Sequence, residues 1–367
     1  MAMTLDGSNG VTFNDSSLQG AAASPYGLKN RIINGDMRID QRNAGASVTP
    51  SGNSYNLDRW QAITPTVGSK FSVQQQTSVV PTGFNYALKV TSLSAYTVGS
   101  TDRFAINQNI EGFNWADLSW GTANAKTVTL SFWVYSSLTG SFGGSLINES
   151  QNRSYPFSYT ISAANTWEQK TITVTGDTTG TWTGATNGVG VQLYFSLGAG
   201  STYSGTANTW AAADYRQPTG STSIVGTNGA TWYITGVQLE IGSTATPFER
   251  RLYNQELANC QRYFEMSYSQ GTVPGTSTNV GGQNAVGAGV NDVGTTSYYK
   301  ATKRTSPTIT VYSPSTGTSG AIRNFNTGSD ITGVSTEVGD TGFRVYKAGA
   351  ITAGQYYAYQ YIASAEL

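Results

Sequence analysis

The stretch TWYITGVQLEIGSTATPFERRLYNQELANCQRYFEM, residues 231–266, decides how the rest of the chain is read. Its first part alternates. Trp232, Ile234, Val237, Leu239 and Ile241 take one side and Tyr233, Thr235, Gln238 and Glu240 the other, while Gly236 breaks the period as a bulge does. Its second part predicts a helix over 247–266. Thr246 precedes Pro247 and Glu249 follows three residues on, a capping box with proline at the first helical position. Tyr253, Leu257, Cys260 and Phe264 then form one apolar stripe at helical spacing, widened by Leu252 and Met266. Arg250, Arg251, Gln255, Asn259 and Arg262 make the remainder polar. No other stretch has a convincing helical period. The strand therefore closes one β domain and the helix carries the chain to a second.

Working outward, strands are expected at Arg31–Asn34 and Met37–Asp40 around a turn at Gly35. More follow at 57–63, 70–76, 86–92, 104–110, 126–136, 169–175 and 189–195, the last strand beginning near Trp232. The clearest is 126–136, with Val128, Leu130, Phe132 and Val134 on one face and Thr127, Thr129, Ser131, Trp133 and Tyr135 on the other. So many strands with no helices between them call for an all-β fold, a two-sheet jelly-roll β-sandwich over residues 30–246. Residues 247–266 are the connecting helix. Residues 267–367 form a small C-terminal β-sandwich head, with strands expected at 298–303, 308–312, 321–325, 331–337, 343–347 and 356–362. Residues 1–29 are short of core-forming side chains and read as an extended N-terminal arm that gains order from other subunits or proteins.

Composition narrows the function classes. Only 11% of the 367 residues are charged, against roughly 25% in ordinary soluble domains. Aromatic residues make up 12%, which argues against disorder. The 21 basic and 21 acidic residues cancel and form no basic run, so nucleic acid is not an expected partner. Histidine is absent, which removes the commonest general base and metal ligand. Cys260 is the single cysteine, so no internal disulfide forms, and it lies on the apolar stripe as a small buried hydrophobe. The first residues, MAMTLDGSNG, lack the basic and apolar regions of a secretory signal. No run of apolar residues is long enough for a membrane span, so no membrane insertion is expected.

Ordered motifs add a resemblance. NRIINGDMRIDQRNAG (residues 30–45), LDRW (57–60), QNIEG (108–112), TLSFWVYSS (129–137), TITVTGDTTGTW (171–182) and then GVQLE, TPFERR and ELANCQRYFE occur in that order. Over residues 30–266 the chain resembles the β-sandwich module of bacteriophage tail-fibre proteins, and LDGSNGVTFNDSSLQG resembles N-terminal parts of phage fibres. The resemblance implies a virion fibre or spike subunit, assembled in the host cytoplasm. It also implies binding of host surface polysaccharide as a receptor-binding protein, a homotrimer, and attachment to other virion proteins through the N-terminal arm. The alternatives are a capsid or tail decoration protein without glycan binding, a glycan depolymerase, and a secreted carbohydrate-binding module.

Candidate residues follow from chemistry. Glycan cleavage needs two carboxylates held a set distance apart. Asp36, Asp40, Asp58, Glu111, Asp177 and Glu240 each sit beside a turn or an arginine and read as turn caps and ion pairs, so no enzyme is expected. No cofactor is expected either. Asp177 and Glu240 are the carboxylates a structural calcium would use, but their spacing does not point to one. Aromatic faces stack on pyranose rings, and aromatics in turn-rich sequence are the better placed for it. These are Trp182, Tyr203, Trp210 and Tyr215, with Tyr298, Tyr299, Arg323 and Asn324 in the second domain. Tyr253, Leu257, Cys260 and Phe264 are the expected trimer-interface residues, with the helix near the threefold axis.

Overall fold

The structure, a computed structural model, describes residues 29–367 and the backbone of three short paired strands before them, Thr4–Asp6, Gly10–Thr12 and Leu18–Gln19. The attachment role expected of the arm at residues 1–29 falls almost wholly outside the described residues. Eleven strands build the two main sheets of the first domain: β1 (Ser54–Leu57), β2 (Trp60–Ile63), β3 (Phe71–Gln76), β4 (Ala87–Ser92), β5 (Arg103–Glu111), β6 (Val128–Ser136), β7 (Gly140–Ile147), β8 (Ser154–Ile161), β9 (Glu168–Val174), β10 (Val189–Ala199) and β11 (Thr231–Ile241). Six make one antiparallel sheet, in the order β8-β7-β10-β5-β2-β1. Five make the other, in the order β9-β6-β11-β4-β3. The two sheets face each other as a jelly-roll sandwich.

Alternation explains the core. Val128, Leu130, Phe132 and Val134 of β6 and Trp232, Ile234, Val237 and Leu239 of β11 are all fully buried between the sheets. Burying each such side chain contributes roughly 1.5–3 kcal/mol. The period survives Gly236 because the register with β6 slips between Thr235 and Gln238. Gly236 has φ 62°, and a Cβ there would lie 2.7 Å from the Phe84 ring. Ile241, expected in the core, is exposed at the strand end.

Three expectations fail for a common reason. Residues 31–34 and 37–40 are not strands. The 57–63 segment is two strands joined by a turn at Asp58 and Arg59, Arg59 having φ 68°. The helix, α1, covers only Tyr253–Gln261, with Leu252 as an uncapped N-terminal residue. In each place long-range polar contacts replace local periodicity. Asn30 Oδ1 accepts from Leu239 N, Trp60 Nε1 donates to Asn34 O, and the Gln108 amide pairs with both backbone groups of Ile33. Thr246, the expected cap, instead donates its hydroxyl to Glu240 Oε2 at 2.7 Å. The Glu249 carboxylate accepts from Asn30 N at 2.9 Å, and Arg251 reaches Ile32 O and Glu256. The motifs of residues 30–41, 57–60, 108–112 and 237–265 therefore converge on one buried polar junction.

That junction leads directly into the head. After α1 the chain enters β12 (Phe264–Met266), which pairs with the last strand, β20 (Tyr356–Ser364). Between them come β13 (Gln283–Val286), β14 (Asp292–Tyr298), β15 (Thr308–Tyr312), β16 (Ala321–Asn324), β17 (Ser329–Thr332), β18 (Ser335–Val338) and β19 (Gly342–Tyr346). β20 pairs with β12, β13, β15 and β16, and β17 extends that sheet beyond β16. β14, β19 and β18 form the facing sheet. Tyr357, Tyr359 and Tyr361 project from β20 into the core between them, with Val311, Phe343 and Val345. The strand expected at 298–303 lies earlier, at 292–298. The one expected at 331–337 is split by a turn at Gly333, φ 65°.

Candidate tryptophan cleft

Two of the predicted aromatics meet. Trp182 and Trp210 lie with their ring centroids 5.6 Å apart, and both pack against Trp120, at 4.8 and 5.1 Å, with nearly perpendicular planes. Trp115 adds a fourth indole 4.7 Å from Trp120, and Tyr155 touches Trp210. Edge-to-face packing of this kind stabilises each pair by roughly 0.5–1.5 kcal/mol beyond the area buried. The cluster is built from loops. Two 3₁₀ turns, Gly112–Asn114 and Ala116–Leu118, bring Trp115 and Trp120 together between β5 and β6, and the 175–188 connection brings Trp182.

Hydrogen bonds hold the rings in place. Trp120 Nε1 donates to Lys126 O and Trp210 Nε1 to Thr175 O, each at 2.8 Å. Trp182 Nε1 donates to Asp177 Oδ2 at 3.1 Å. Asp177, almost fully buried, also receives both forks of Arg153 at 2.7 Å, and the Arg153 guanidinium lies 5.7 Å from the Trp210 ring centre. Burial pushes the Asp177 carboxyl up, but the hydrogen bonds from Arg153, Trp182 and Thr179 outweigh it and hold it below its ordinary value. Asp177 is thus a positioning anion for the aromatic wall.

The indoles border a cleft of about 390 Å³, lined by Trp115, Trp120 and Trp182 with Ser119, Thr122, Asn124 and Thr183. Trp182 and Trp210 are partly exposed, Trp120 nearly buried, and Trp115 buried with its Nε1 lacking a partner. The arrangement offers aromatic surface with hydroxyls and an amide at its edge. Trp115, Trp120 and Asn124 were not among the sequence candidates, although both tryptophans sit in turn-rich sequence like that of Trp182.

The other candidates do not join this cluster. Tyr203 accepts from Arg103 Nη1 at 3.2 Å, and Tyr215 packs over Gly205. In the head, Tyr298 is exposed on β14 while Arg323 and Asn324 belong to the opposite sheet. Tyr299 stacks on Phe343 at 5.9 Å and lies under Lys303. Arg323 pairs with Asp330, and the Asn324 amide is buried against Gln355. Of the expected interface residues, Cys260 and Phe264 are buried inside the protomer, Phe264 in β12 beneath Arg42. Tyr253 is exposed and Leu257 partly so. Among the described residues, no three metal-ligating side chains gather.

No family model and no curated protein sequence matches this chain. Similar solved structures include the enzymatically active domain of tailspike protein 4 of bacteriophage CBA120, at 11% identity and TM-score 0.32, aligned over 58% of this chain and 21% of that domain. This chain thus spans about a fifth of the tailspike domain it matches. A family 11 carbohydrate-binding module of a Clostridium thermocellum cellulase aligns at 12% identity and TM-score 0.26, over 53% of this chain and 98% of the module. The N-terminal cellulose-binding domain of Cellulomonas fimi β-1,4-glucanase C aligns at 14% identity and TM-score 0.25, over 56% of this chain and 98% of that domain.

Proposed function

We propose that this chain is a fibre or spike subunit of a phage virion that binds host surface polysaccharide through the tryptophan cleft without cleaving it. The cleft carries the reading. Its partly exposed Trp182 face, braced by Trp210 and set among Ser119, Thr122 and Asn124, suits the apolar face and hydroxyls of a pyranose ring. The motif resemblance supports the virion setting. The non-enzymatic reading is supported by how the motif carboxylates are engaged: Asp177 by Arg153, Glu111 by Arg262 and Tyr263, Glu240 by Thr246 and Gln238, and Asp58 by Gln41.

The test is titration of the full chain with host surface polysaccharide, followed by tryptophan fluorescence and by the length of the recovered glycan. Binding with unshortened chains is expected. Trp182→Ala should weaken it about tenfold, the loss of one stacking contact. Asn124→Ala, at an exposed side chain, repeats the test without touching the aromatic packing. Shortened glycan would replace this reading with that of a depolymerase. Tight binding indifferent to both variants would move the site elsewhere.

The trimer belongs to the same proposal, supported by exposed Leu252 and Tyr253 beside partly exposed Leu257. The mass of the full chain at micromolar concentration should be that of three copies. A monomer there would remove the trimer.

A further inference from the structure

The outer face of the five-stranded sheet carries a row of side chains that neither the core nor the junction uses. Tyr135 on β6 is the register partner of Tyr233 on β11. Tyr233 is opposite Lys89 on β4, and Lys89 is opposite Gln74 on β3. With strands about 4.8 Å apart, the row runs straight across the sheet for about 14 Å. Trp167, just before β9, extends it, its ring centroid 5.6 Å from that of Tyr135. Tyr135 and Tyr233 meet edge to face at 4.9 Å. The far end opens into a cleft of about 440 Å³, lined by Tyr233, Lys89, Gln74–Gln76, Thr77, Ser78 and the loop at Ala44 and Gly45.

Two features define what this surface takes. Trp167 and Tyr135 are partly exposed, so aromatic surface faces solvent along the row. Trp167 also keeps a buried Nε1 without a partner. Lys89 is the single charged side chain in the cleft lining. Its Nζ rests 5.8 Å from the Tyr233 ring centre, and among the described residues it joins no ion pair. The remaining polar lining is amide and hydroxyl. Single-stranded nucleic acid also stacks on aromatics, but it carries a phosphate per nucleotide and is held by clustered cations, not by one lysine.

We propose that this row is a second saccharide-binding surface, separate from the tryptophan cleft, and that it takes an extended uronate-bearing polysaccharide. Sugar rings lie along Trp167 and Tyr135, and a carboxylate pairs with Lys89. The two sites are apart on the sandwich: the Trp120 loop enters β6 at Val128, and Tyr135 lies near the strand's other end, about 23 Å along it.

Calorimetric titration of the full chain tests this, using an oligogalacturonate hexamer, a neutral galactan oligomer of equal length and an oligothymidylate. The uronate should bind, more weakly as salt rises. Lys89→Gln should cost about tenfold in uronate affinity, the loss of a charge-assisted contact. Trp167→Ala should weaken uronate binding as well, and Trp182→Ala should leave it unchanged. Lys89 is a partly exposed surface residue, so its variant folds, and an unchanged melting temperature checks this. Four results would overturn the proposal: no uronate binding at millimolar concentration, equal affinity for the neutral oligomer, indifference to Lys89→Gln, or preference for the oligothymidylate. Loss through Trp182→Ala would place the uronate in the tryptophan cleft and overturn it too. Because the cleft is tested through Trp182 and Asn124 and this row through Lys89 and Trp167, either site can fail alone.

Discussion

Glu366, beyond the last strand of the head, pairs with Arg59 in the turn between β1 and β2 of the sandwich, and both side chains are buried. The same carboxylate receives Arg42 at 2.5 Å. Leu367 O next to it accepts from Tyr55 at 2.6 Å and from Asn109 at 3.0 Å. Glu366 and Leu367 thus pack against the first domain, and the two β units hold each other.

Glu366→Ala should separate them. The wild type is expected to unfold in one calorimetric transition, and the variant in two, with the sandwich losing about 3–5 kcal/mol because Arg59 is left buried and short of its anion. A single transition in the variant at an unchanged temperature would contradict this.

Lys303 and Glu265 form the corresponding pair inside the head, 2.5 Å apart with neither side chain exposed. Burial lowers the Lys303 ammonium below its usual value despite that partner. Lys303→Met strands a carboxylate that still accepts from Tyr361 and Lys300, and should cost about 3–5 kcal/mol. Adding Glu265→Gln should recover part of the loss. Denaturant titration of the two single variants and the double variant measures the coupling.

Asp58 gives the pH dependence a sign. Burial pushes its carboxyl up to about 6, against the opposing pull of Arg42 and of the Gln41 hydrogen bonds. Between its ordinary value and 6 the folded state holds a proton that the unfolded state has released. This group's contribution therefore falls as pH rises through that window. Asp58→Asn lacks the dependence. The difference in unfolding free energy should move in the variant's favour by about 2–3 kcal/mol from pH 4 to pH 7. A constant difference would mean that Asp58 titrates normally.

Gly236→Ala should destabilise the sandwich by about 1–3 kcal/mol, because the position needs φ 62° and the added methyl meets the Phe84 ring. Gly229→Ala, also at positive φ but with open space around it, separates backbone strain from the clash and should cost less.

Much of the fold was legible because it rests on local alternation. β6 and β11 show their core faces in every second residue, and all of these but Ile241 are buried, while burial of the intervening Thr129, Ser131, Thr235, Gln238 and Glu240 does not follow the alternation. β7 was not legible. Its sequence, GSFGGSLI, has too few apolar residues to alternate, and the reason is tertiary: a Cβ on Gly144 would overlap the Tyr194 carbonyl of the neighbouring strand. The capping box at Thr246 was legible and misleading, because Glu240 and Asn30 take the groups that would have capped the helix. Trp182 and Trp210 could be picked out by their turn-rich setting. Their meeting with Trp120 could not, since the three come from separate loops.

By itself, then, the sequence determined what depends on neighbours a few residues away: an all-β chain, the core faces of its long strands, the bulge at Gly236 and the place of α1. Tertiary structure alone decided which distant groups meet. It turned the charged motifs into a buried junction, drew Glu366 to Arg59, and shortened the helix. It also aligned Trp167, Tyr135, Tyr233 and Lys89 across separate strands. A buried charge or carboxamide takes whichever partner the packed chain brings within hydrogen-bond reach, and that partner is set by sheet order and register rather than by spacing along the chain.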